Sequence, residues 1–490
     1  MTLKNEIVLI TYPDSMGGNL KELREILVNH CQGVVGGVHL LPFFPSSADR
    51  GFAPLTYEEV DPKFGTWDDI QALGAHFYLI FDFMINHISR QSVFFQDFKR
   101  KKDQSEYAEL FIRYKDFWSG GEPSPEEVDL IYKRKPRAPY TTVRFHDGTE
   151  EKIWCTFTDE QIDINVNTAV GKKFIRDSLR FLVEKGAAVI RLDAFAYTTK
   201  KVGTNCFFVE PEVWALLAEV EALLKPHGVA LLPEIHEHYS IQLKLAEKGY
   251  WVYDFALPML LLHALYFGTN KRLINWLKIC PRQQFTTLDT HDGIGVVDVR
   301  DLLSEEEIEQ TKDYLYANGA NVKRIYSTTA YNNLDIYQIN CTYYSALGNN
   351  DQAYLLARAI QFFTPGIPQV YYVGLLAGEN DIELLEKTKV GRDINRHNYT
   401  KEEVEENLAR PVVKKLFALM RFRNSYPAFQ GDYLCEPIDE ESLAITWQKD
   451  EYKTTLTANL KTHEYSIVYF DPQKGRDCLF NDKDSFASGK

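Results

Sequence analysis

Three carboxylates in this chain follow short apolar runs, each in a segment dense with other polar groups. Asp193 lies in Arg191-Leu192-Asp193-Ala194-Phe195, Glu234 in Pro233-Glu234-Ile235-His236, and Asp292 closes Leu288-Asp289-Thr290-His291-Asp292. A further polar cluster, Asp82-Phe83-Met84-Ile85-Asn86-His87, ends another apolar run. A set of this kind suits glycosyl transfer. One carboxylate attacks the anomeric carbon and holds a covalent intermediate. A second, protonated, gives its proton to the leaving oxygen, and in the retaining geometry the two carboxyls lie about 5–5.5 Å apart. The attacking group must be ionised, so a neighbouring Arg191 that lowers its pKa is useful. The acid must keep its proton, through burial or a nearby negative charge. A third carboxylate grips sugar hydroxyls and favours the cationic transition state. One Asp at a strand end is more often a helix cap than a catalyst. Three at three strand ends, two of them with basic neighbours, are hard to explain as structure alone.

The elements that must position these groups can be read from the apolar pattern. Strands are expected at Glu6–Thr11, Val34–Leu41, Phe77–Met84, Ala188–Ala194, Ala230–Ile235, Trp251–Leu257, Phe285–Leu288 and Gln369–Val373. They are apolar nearly throughout, as strands are when helices cover one side and a barrel core fills the other. Helical patterns lie between them. In Gly171–Lys185, Phe174, Leu179, Leu182 and Val183 recur at helical spacing, and Gly186 stands where a C-terminal cap belongs. Eight strands alternating with helices predict an α/β fold, a (β/α)8 TIM barrel, whose chemistry sits at the C-terminal strand ends. The barrel is expected to comprise residues 1–85, 169–291 and 351–430. An inserted subdomain would occupy 86–168 and a second insertion 292–350. Alternating runs at Ser442–Gln448, Tyr452–Leu460 and Tyr465–Phe470 predict a small antiparallel β domain over 431–490.

Composition narrows the function classes. Charged residues number 55 basic against 69 acidic, a net −14, which argues against nucleic acid as a partner. Seven cysteines are scattered without a CxxC pair, so neither a disulfide framework nor a zinc cluster is expected, and a reducing compartment fits better. The first fifteen residues lack the apolar core of a signal peptide, and no apolar run reaches the length of a membrane span. The expectation is a cytoplasmic protein without membrane contact. Gly17-Gly18 and Gly36-Gly37 do not form a nucleotide-binding loop. His236 and His238 beside Glu234 fit no good zinc pattern, and hydrogen bonding behind the site is expected of them. No metal and no cofactor are expected.

Longer motifs carry a resemblance. They include GGVHLLPFFPSSADRGFAP (36–54), FDFMINHISRQS (81–92), IRLDAFAY (190–197), LPEIHEHYS (232–240), FTTLDTHDGIGVVD (285–298), LDIYQINCTYYSALGNND (334–351), PGIPQVYYVGLLAGENDIELL (365–385) and GRDINRH (391–397). On these the chain resembles the α-amylase superfamily and, within it, the sucrose phosphorylase group, over nearly everything up to about residue 430. The resemblance implies that Asp193 is the nucleophile, Glu234 the general acid and then base, and Asp292 the transition-state stabiliser. It implies that Arg191, His87 and His291 line the glucose subsite, that Asp49 and Arg396 close it, and that Phe52 and Tyr197 clamp the sugar ring. Gln161, Asp335, Tyr337 and Gln338 complete the substrate-binding set.

The same resemblance implies what discharges the glucosyl-enzyme. Phosphate needs cations near the anomeric centre, and Lys133-Arg134-Lys135-Pro136-Arg137 puts four cations in five residues. The run alone reads as a solvated loop. Within the group this loop faces another that carries a Tyr-Gln pair, here Tyr337-Gln338. Lys135 falls at the basic phosphate-binding position, with Arg137 sharing the role and Tyr337 contributing its hydroxyl. The implied reaction is sucrose plus inorganic phosphate giving α-glucose 1-phosphate and fructose, with transglucosylation to other acceptors. Relatives using sucrose 6′-phosphate carry His where this chain has Tyr337, whereas Asn398 is a feature shared with them. Sucrose 6′-phosphate and glucosylglycerol phosphorolysis therefore stay open as alternatives. A homodimer through the inserted subdomain is also left open.

Overall fold

The computed structural model describes residues 3–320 and 337–482. Its centre is an eight-stranded parallel sheet made of Val8–Thr11 (β1), Gly37–Leu40 (β2), Tyr78–Phe83 (β3), Ala187–Leu192 (β4), Ala230–Pro233 (β5), Val252–Asp254 (β6), Gln284–Thr287 (β7) and Ile367–Tyr371 (β8). The hydrogen-bonded order is β6-β7-β8-β1-β2-β3-β4-β5, a cyclic permutation of chain order. This is the (β/α)8 barrel, and all eight expected runs supply its strands. The ends differ by up to three residues. Phe255, Ala256 and Leu257 leave the sixth strand because a helix begins at Leu257 with Pro258 in its first turn, and Tyr372 and Val373 already belong to the short helix Tyr372–Leu375.

Two apolar cores hold the barrel. The larger one lies largely between strands and helices. The smaller fills the interior with Val8, Ile80, Val189, Leu232, Tyr253, Phe285 and Ile367, one from each of seven strands. Side chains alternate along a strand. The period of two that turns Val189 inward therefore also turns Arg191 and then Asp193 inward, and Ile80 is followed by Asp82. An apolar plug is thus capped by ionisable groups at the C-terminal rim, where barrel loops can shape a site.

The stretch between β3 and β4 carries its own antiparallel pairs, His87–Ser89 with Gln161–Asp163 and Tyr140–Arg144 with Glu150–Trp154. After it comes the helix Ala169–Glu184, whose N-cap Thr168 accepts a bond from the Gly171 N–H. Gly186, at φ +98°, follows it in the left-handed region, as its position required. Beyond β7, Ile294–Gly295 pairs with Gln338–Ile339. The C-terminal unit is a five-stranded antiparallel sheet: Asp432–Pro437 (β9), Ser442–Lys449 (β10), Tyr452–Asn459 (β11), Tyr465–Asp471 (β12) and Arg476–Leu479 (β13). The sequence pattern anticipated its three inner strands and missed both edges, whose residues are mostly exposed and so carry no clear alternation. All seven cysteines are free thiols. Among the described residues, no helix is long and apolar enough to cross a membrane.

Candidate active site

At the rim of the barrel lies an open cavity of about 1370 Å³ whose lining includes Asp193, Glu234 and Asp292. The three carboxylates stand just past the ends of β4, β5 and β7. Asp193 directly follows β4 and its N–H donates to Phe83 O at 3.0 Å. Ala194 then turns into the left-handed region at φ +52°, which strains a residue with a Cβ. That turn aims the Ala194 N–H at Glu234 Oε2, 3.0 Å away, so one backbone bond ties the β4 and β5 loops together.

Arg191 organises the charges. It pairs with the fully buried Asp82, reaches Asp193 Oδ1 at 3.0 Å and lies 3.9 Å from Glu234 Oε1. Asp82 also meets His39 Nε2 at 2.8 Å. Burial alone would raise the Asp82 carboxyl, but Arg191 and His39 outweigh it and lower it to about 2. Asp193 behaves differently. Burial pushes it up to about 8, and Glu234, Asp82 and Asp292 add to the rise. Arg191 pulls it down, as the sequence led us to expect, but one cation shared among three carboxylates does not offset burial. At Asp193 the pull of Arg191 is thus set against burial and three neighbouring carboxylates. At Asp292 the balance goes the other way. Burial opposes ionisation, yet Arg392, His291, His236 and Arg396 together hold it well below the usual carboxylate range. The closest of these contacts is Arg392 Nη1 to Asp292 Oδ1, 3.0 Å.

Phe52, His87, Gln161, Tyr197, His291, Tyr337 and Gln338 also line the cavity. Phe52 stacks flat on His291 with centroids 4.9 Å apart. Burial lowers His291 to about 3, so it is a neutral ring. His87 Nε2 lies 2.9 Å from Phe52 O, and Gln161 donates to the same oxygen at 3.0 Å. Arg396 is buried and donates through Nε to His291 O at 3.0 Å. Gln338 accepts from the Gly293 N–H at 3.2 Å, and Tyr337 O accepts from Val296 N–H at 2.9 Å. Asp49 begins the turn Asp49–Gly51, but its side chain lies outside the described part of the structure, as does all of Asp335. Glu234, His236 and Asp292 offer ligand atoms within 4.8 Å of one another, the spacing a metal ion could use. His236 there lies 3.5 Å from Asp298, at ion-pair distance, and stacks on Phe255 with centroids 3.8 Å apart.

A family model for the α-amylase catalytic domain matches residues 32–238. A sucrose phosphorylase of Streptococcus mutans is 58% identical over 475 residues, covering 96% of this chain and 99% of that one. The chain belongs to the sucrose phosphorylase family. A sucrose 6(F)-phosphate phosphorylase of Thermoanaerobacterium thermosaccharolyticum is 47% identical over 479 residues, or 96% of this chain and 98% of the relative. The crystal structure of a sucrose 6F-phosphate phosphorylase from Thermoanaerobacter thermosaccharolyticum superposes with a TM-score of 0.94 at 46% identity, covering 98% of both chains. As a member of this family, the chain is an enzyme, a glycosyl-transferring phosphorylase.

For a sucrose phosphorylase family member, the cations on the cavity wall matter most, and two of them were not singled out by sequence. Arg134, Lys135 and Arg137 all line the cavity. Arg137 pairs with Asp159, and Lys135 lies buried 3.9 Å from the same carboxylate. Arg134 instead donates to the Tyr197 hydroxyl and lies over the Tyr337 ring, 4.0 Å from its centroid. It is the member of the 133–137 run placed between Tyr197 and Tyr337. The second is Arg392, whose Nη2 donates to the Tyr337 hydroxyl at 3.3 Å. The run itself flagged Arg134, but nothing in it says which of its cations faces the cavity. Arg392 lay inside the quoted GRDINRH motif without a role.

Proposed function

We propose that this enzyme catalyses the retaining phosphorolysis of sucrose to α-glucose 1-phosphate and fructose. The observation that supports it best is one cavity holding Asp193, Glu234 and Asp292 beside a wall of Arg134, Tyr337 and Arg392. The two sides of the cavity suit the two halves of such a reaction.

In the first half, Asp193 attacks the glucosyl anomeric carbon while Glu234 protonates the departing fructosyl oxygen. The attack requires the proton on Glu234 and an ionised Asp193. Binding a sugar whose ring carbon becomes cationic favours the ionised Asp193, as does Arg191. Asp292, the carboxylate with the firmest ionisation, faces the same developing charge. Phe52 and Tyr197 give aromatic faces to the ring. His87, Gln161, His291 and Arg396, with Asp49, form the subsite for a single terminal glucose.

In the second half, phosphate enters a rim crowded with carboxylates and needs local cations to do so. Arg134 and Tyr337 supply the charge and hydroxyl, with Lys135 and Arg137 adding positive potential behind them. Glu234, now ionised, takes the proton from the attacking phosphate. Water in the same place would give glucose instead. Unphosphorylated sucrose is the substrate we assign, because position 337 is Tyr where sucrose 6′-phosphate relatives have His. Fructose and α-glucose 1-phosphate are the corresponding products. No partner macromolecule is needed for this chemistry, and a cytoplasmic setting suits its phosphate supply.

Product analysis tests the reading. Sucrose with phosphate should release glucose 1-phosphate and fructose in equal amounts, and omitting phosphate should slow glucosyl turnover at least tenfold. Equal glucose release without phosphate would identify a hydrolase. A clear preference for sucrose 6′-phosphate at saturating phosphate would reassign the substrate.

A further inference from the structure

Arg392 spans two groups that belong to different halves of the proposed reaction. It sits in the 3-10 turn Gly391–Asn395, after the helix Ile382–Thr388. This segment is pinned at both ends. Asp381 caps the helix through Leu384 N–H and also lies 2.6 Å from His397 Nδ1. Asn395 donates to Thr290 O at 3.2 Å and Asp292 O at 3.0 Å, and Arg396 donates to His291 O. Three bonds therefore fasten the turn onto the loop that carries Asp292. The Arg392 guanidinium is delivered to the Asp292 carboxylate by this backbone framework, not by a chance surface encounter. Its other branch holds the Tyr337 hydroxyl. A planar fork with several donors can span two acceptors in this way, while a lysine supplies one point of charge.

We infer that Arg392 is a positioning residue with two separable duties: it keeps Asp292 anionic for glucosyl transfer, and it holds the Tyr337 hydroxyl in place for the phosphate step. This deepens the function proposed above and rests on it. The charged and titratable groups facing Asp292 are Arg392, His291, His236 and Arg396 on the positive side, and Asp193 and Glu234 on the negative side. His291 is a neutral ring at working pH, and His236 is already engaged with Asp298 and Glu234. Arg396 is directed to a backbone oxygen. Arg392 is thus a permanent cation, held 3.0 Å from the Asp292 carboxylate. The Tyr337 duty is separate from the Asp292 contact, because it depends on a hydrogen bond from the other guanidinium nitrogen to the Tyr337 hydroxyl.

Three variants separate the duties. Arg392→Gln removes both, Arg392→Lys restores charge but not the fork, and Tyr337→Phe removes only the hydroxyl. With the wild-type enzyme first shown to be phosphate-dependent, each variant is assayed for kcat/KM against pH and for the ratio of glucose to glucose 1-phosphate. Thermal melting reports whether each is folded. Arg392→Gln should lose roughly 10- to 100-fold in kcat/KM, the cost of one charge-assisted contact. Its acid limb should move to higher pH, since Asp292 then takes a proton more readily. Arg392→Lys should recover the wild-type acid limb yet keep a raised glucose fraction, and Tyr337→Phe should show that raised fraction with an unshifted acid limb. Should Arg392→Gln fail to fold, Arg392→Met takes its place in the test of the charge duty, with the same expected shift and the same overturning result, and the Lys and Phe variants still decide the Tyr337 duty. An unshifted acid limb in a folded Arg392→Gln enzyme overturns the charge duty. An unaltered product ratio in both Arg392→Lys and Tyr337→Phe overturns the Tyr337 duty. Loss of phosphate dependence in the wild-type enzyme strikes the parent reading instead.

Discussion

Asp193 is a group the fold holds at its own expense. An ionised carboxylate is unstable in this buried, acid-rich rim, and its pKa rises from 3.8 to about 8. The sign of the consequence follows from proton linkage. Between those values the folded chain keeps a proton that the unfolded chain has released, so the contribution of this group to stability falls as pH rises through that window. Asp193→Asn should therefore melt about 2 °C higher than wild type near pH 7.5 while losing at least ~10³-fold in turnover, a trade of stability against activity. Calorimetry and sucrose turnover check the pair, and a destabilised Asn variant would contradict the charge balance argued here. Asp82 is the opposite case. Its lowered pKa, about 2, makes its contribution full above the ordinary carboxylate value and lost as pH falls toward 2. Asp82→Asn leaves the buried Arg191 short of a partner and should cost ~3 kcal/mol in urea unfolding. The sequence made the three carboxylates, Arg191 and His291 legible because each closes an apolar strand. It put the phosphate position at Lys135, with Arg137, and gave Arg134 no role. In an irregular loop no period tells which neighbour faces inward, and the structure turns Lys133 toward Asp129 and Lys135 toward Asp159 while Arg134 meets the tyrosines.

At the level of elements, the barrel was readable because its strands are buried on both faces, which leaves continuous apolar runs. The strand ends were not, because local helix starts compete there: Leu257-Pro258 ends the reading of β6 early, and Tyr372 turns helical straight after β8. The tight junction at the end of β8 shows what such a turn demands. Tyr354 donates to Gly374 O, and Asp289, beyond β7, pairs with the fully buried Arg358 at 2.5 Å. A Cβ at Gly374 would come within 2.0 Å of Asp289 Oδ2 and 2.1 Å of Arg358 Nη2. Gly374→Ala must then displace a buried ion pair that also receives the Tyr371 N–H. We expect a loss of ~3 kcal/mol, from overpacking together with a weakened ion pair, read as a lower urea midpoint. Because Asp289 precedes His291 and Asp292 on one loop, kcat should fall as well. A variant as stable and active as wild type would show that this junction yields more easily than its distances imply.

For the molecule as a whole, the net charge of −14 and the anionic second substrate pull against each other. Arg134, Lys135, Arg137 and Arg392 place cations on the cavity wall, among carboxylates that include Asp159 and Asp292, so an entering phosphate meets local positive charge on an otherwise acidic molecule. The scaffold behind that opening is one mechanical body. The C-terminal sheet is fastened to the barrel by Trp447, whose Nε1 donates to Phe363 O at 2.8 Å and whose ring packs with Phe429 and Tyr433. A second fastening is Asn270, which donates to Asp439 O and Ser442 O at 2.5 and 2.6 Å. A third is the cluster of Phe422, Tyr426, Tyr469 and Phe480, which joins the last barrel helix to β12 and the residue after β13. Burial this continuous predicts one cooperative unfolding transition for barrel and sheet together. Trp447→Ala opens a cavity in the shared core and leaves Phe363 O without its donor, so it should cost ~4 kcal/mol. Among the described residues, none that lines the cavity belongs to the C-terminal sheet, so KM for sucrose and for phosphate should stay within about twofold of wild type below the melting range. Two separated transitions in calorimetry would instead show that the sheet folds by itself and that the barrel does not depend on it.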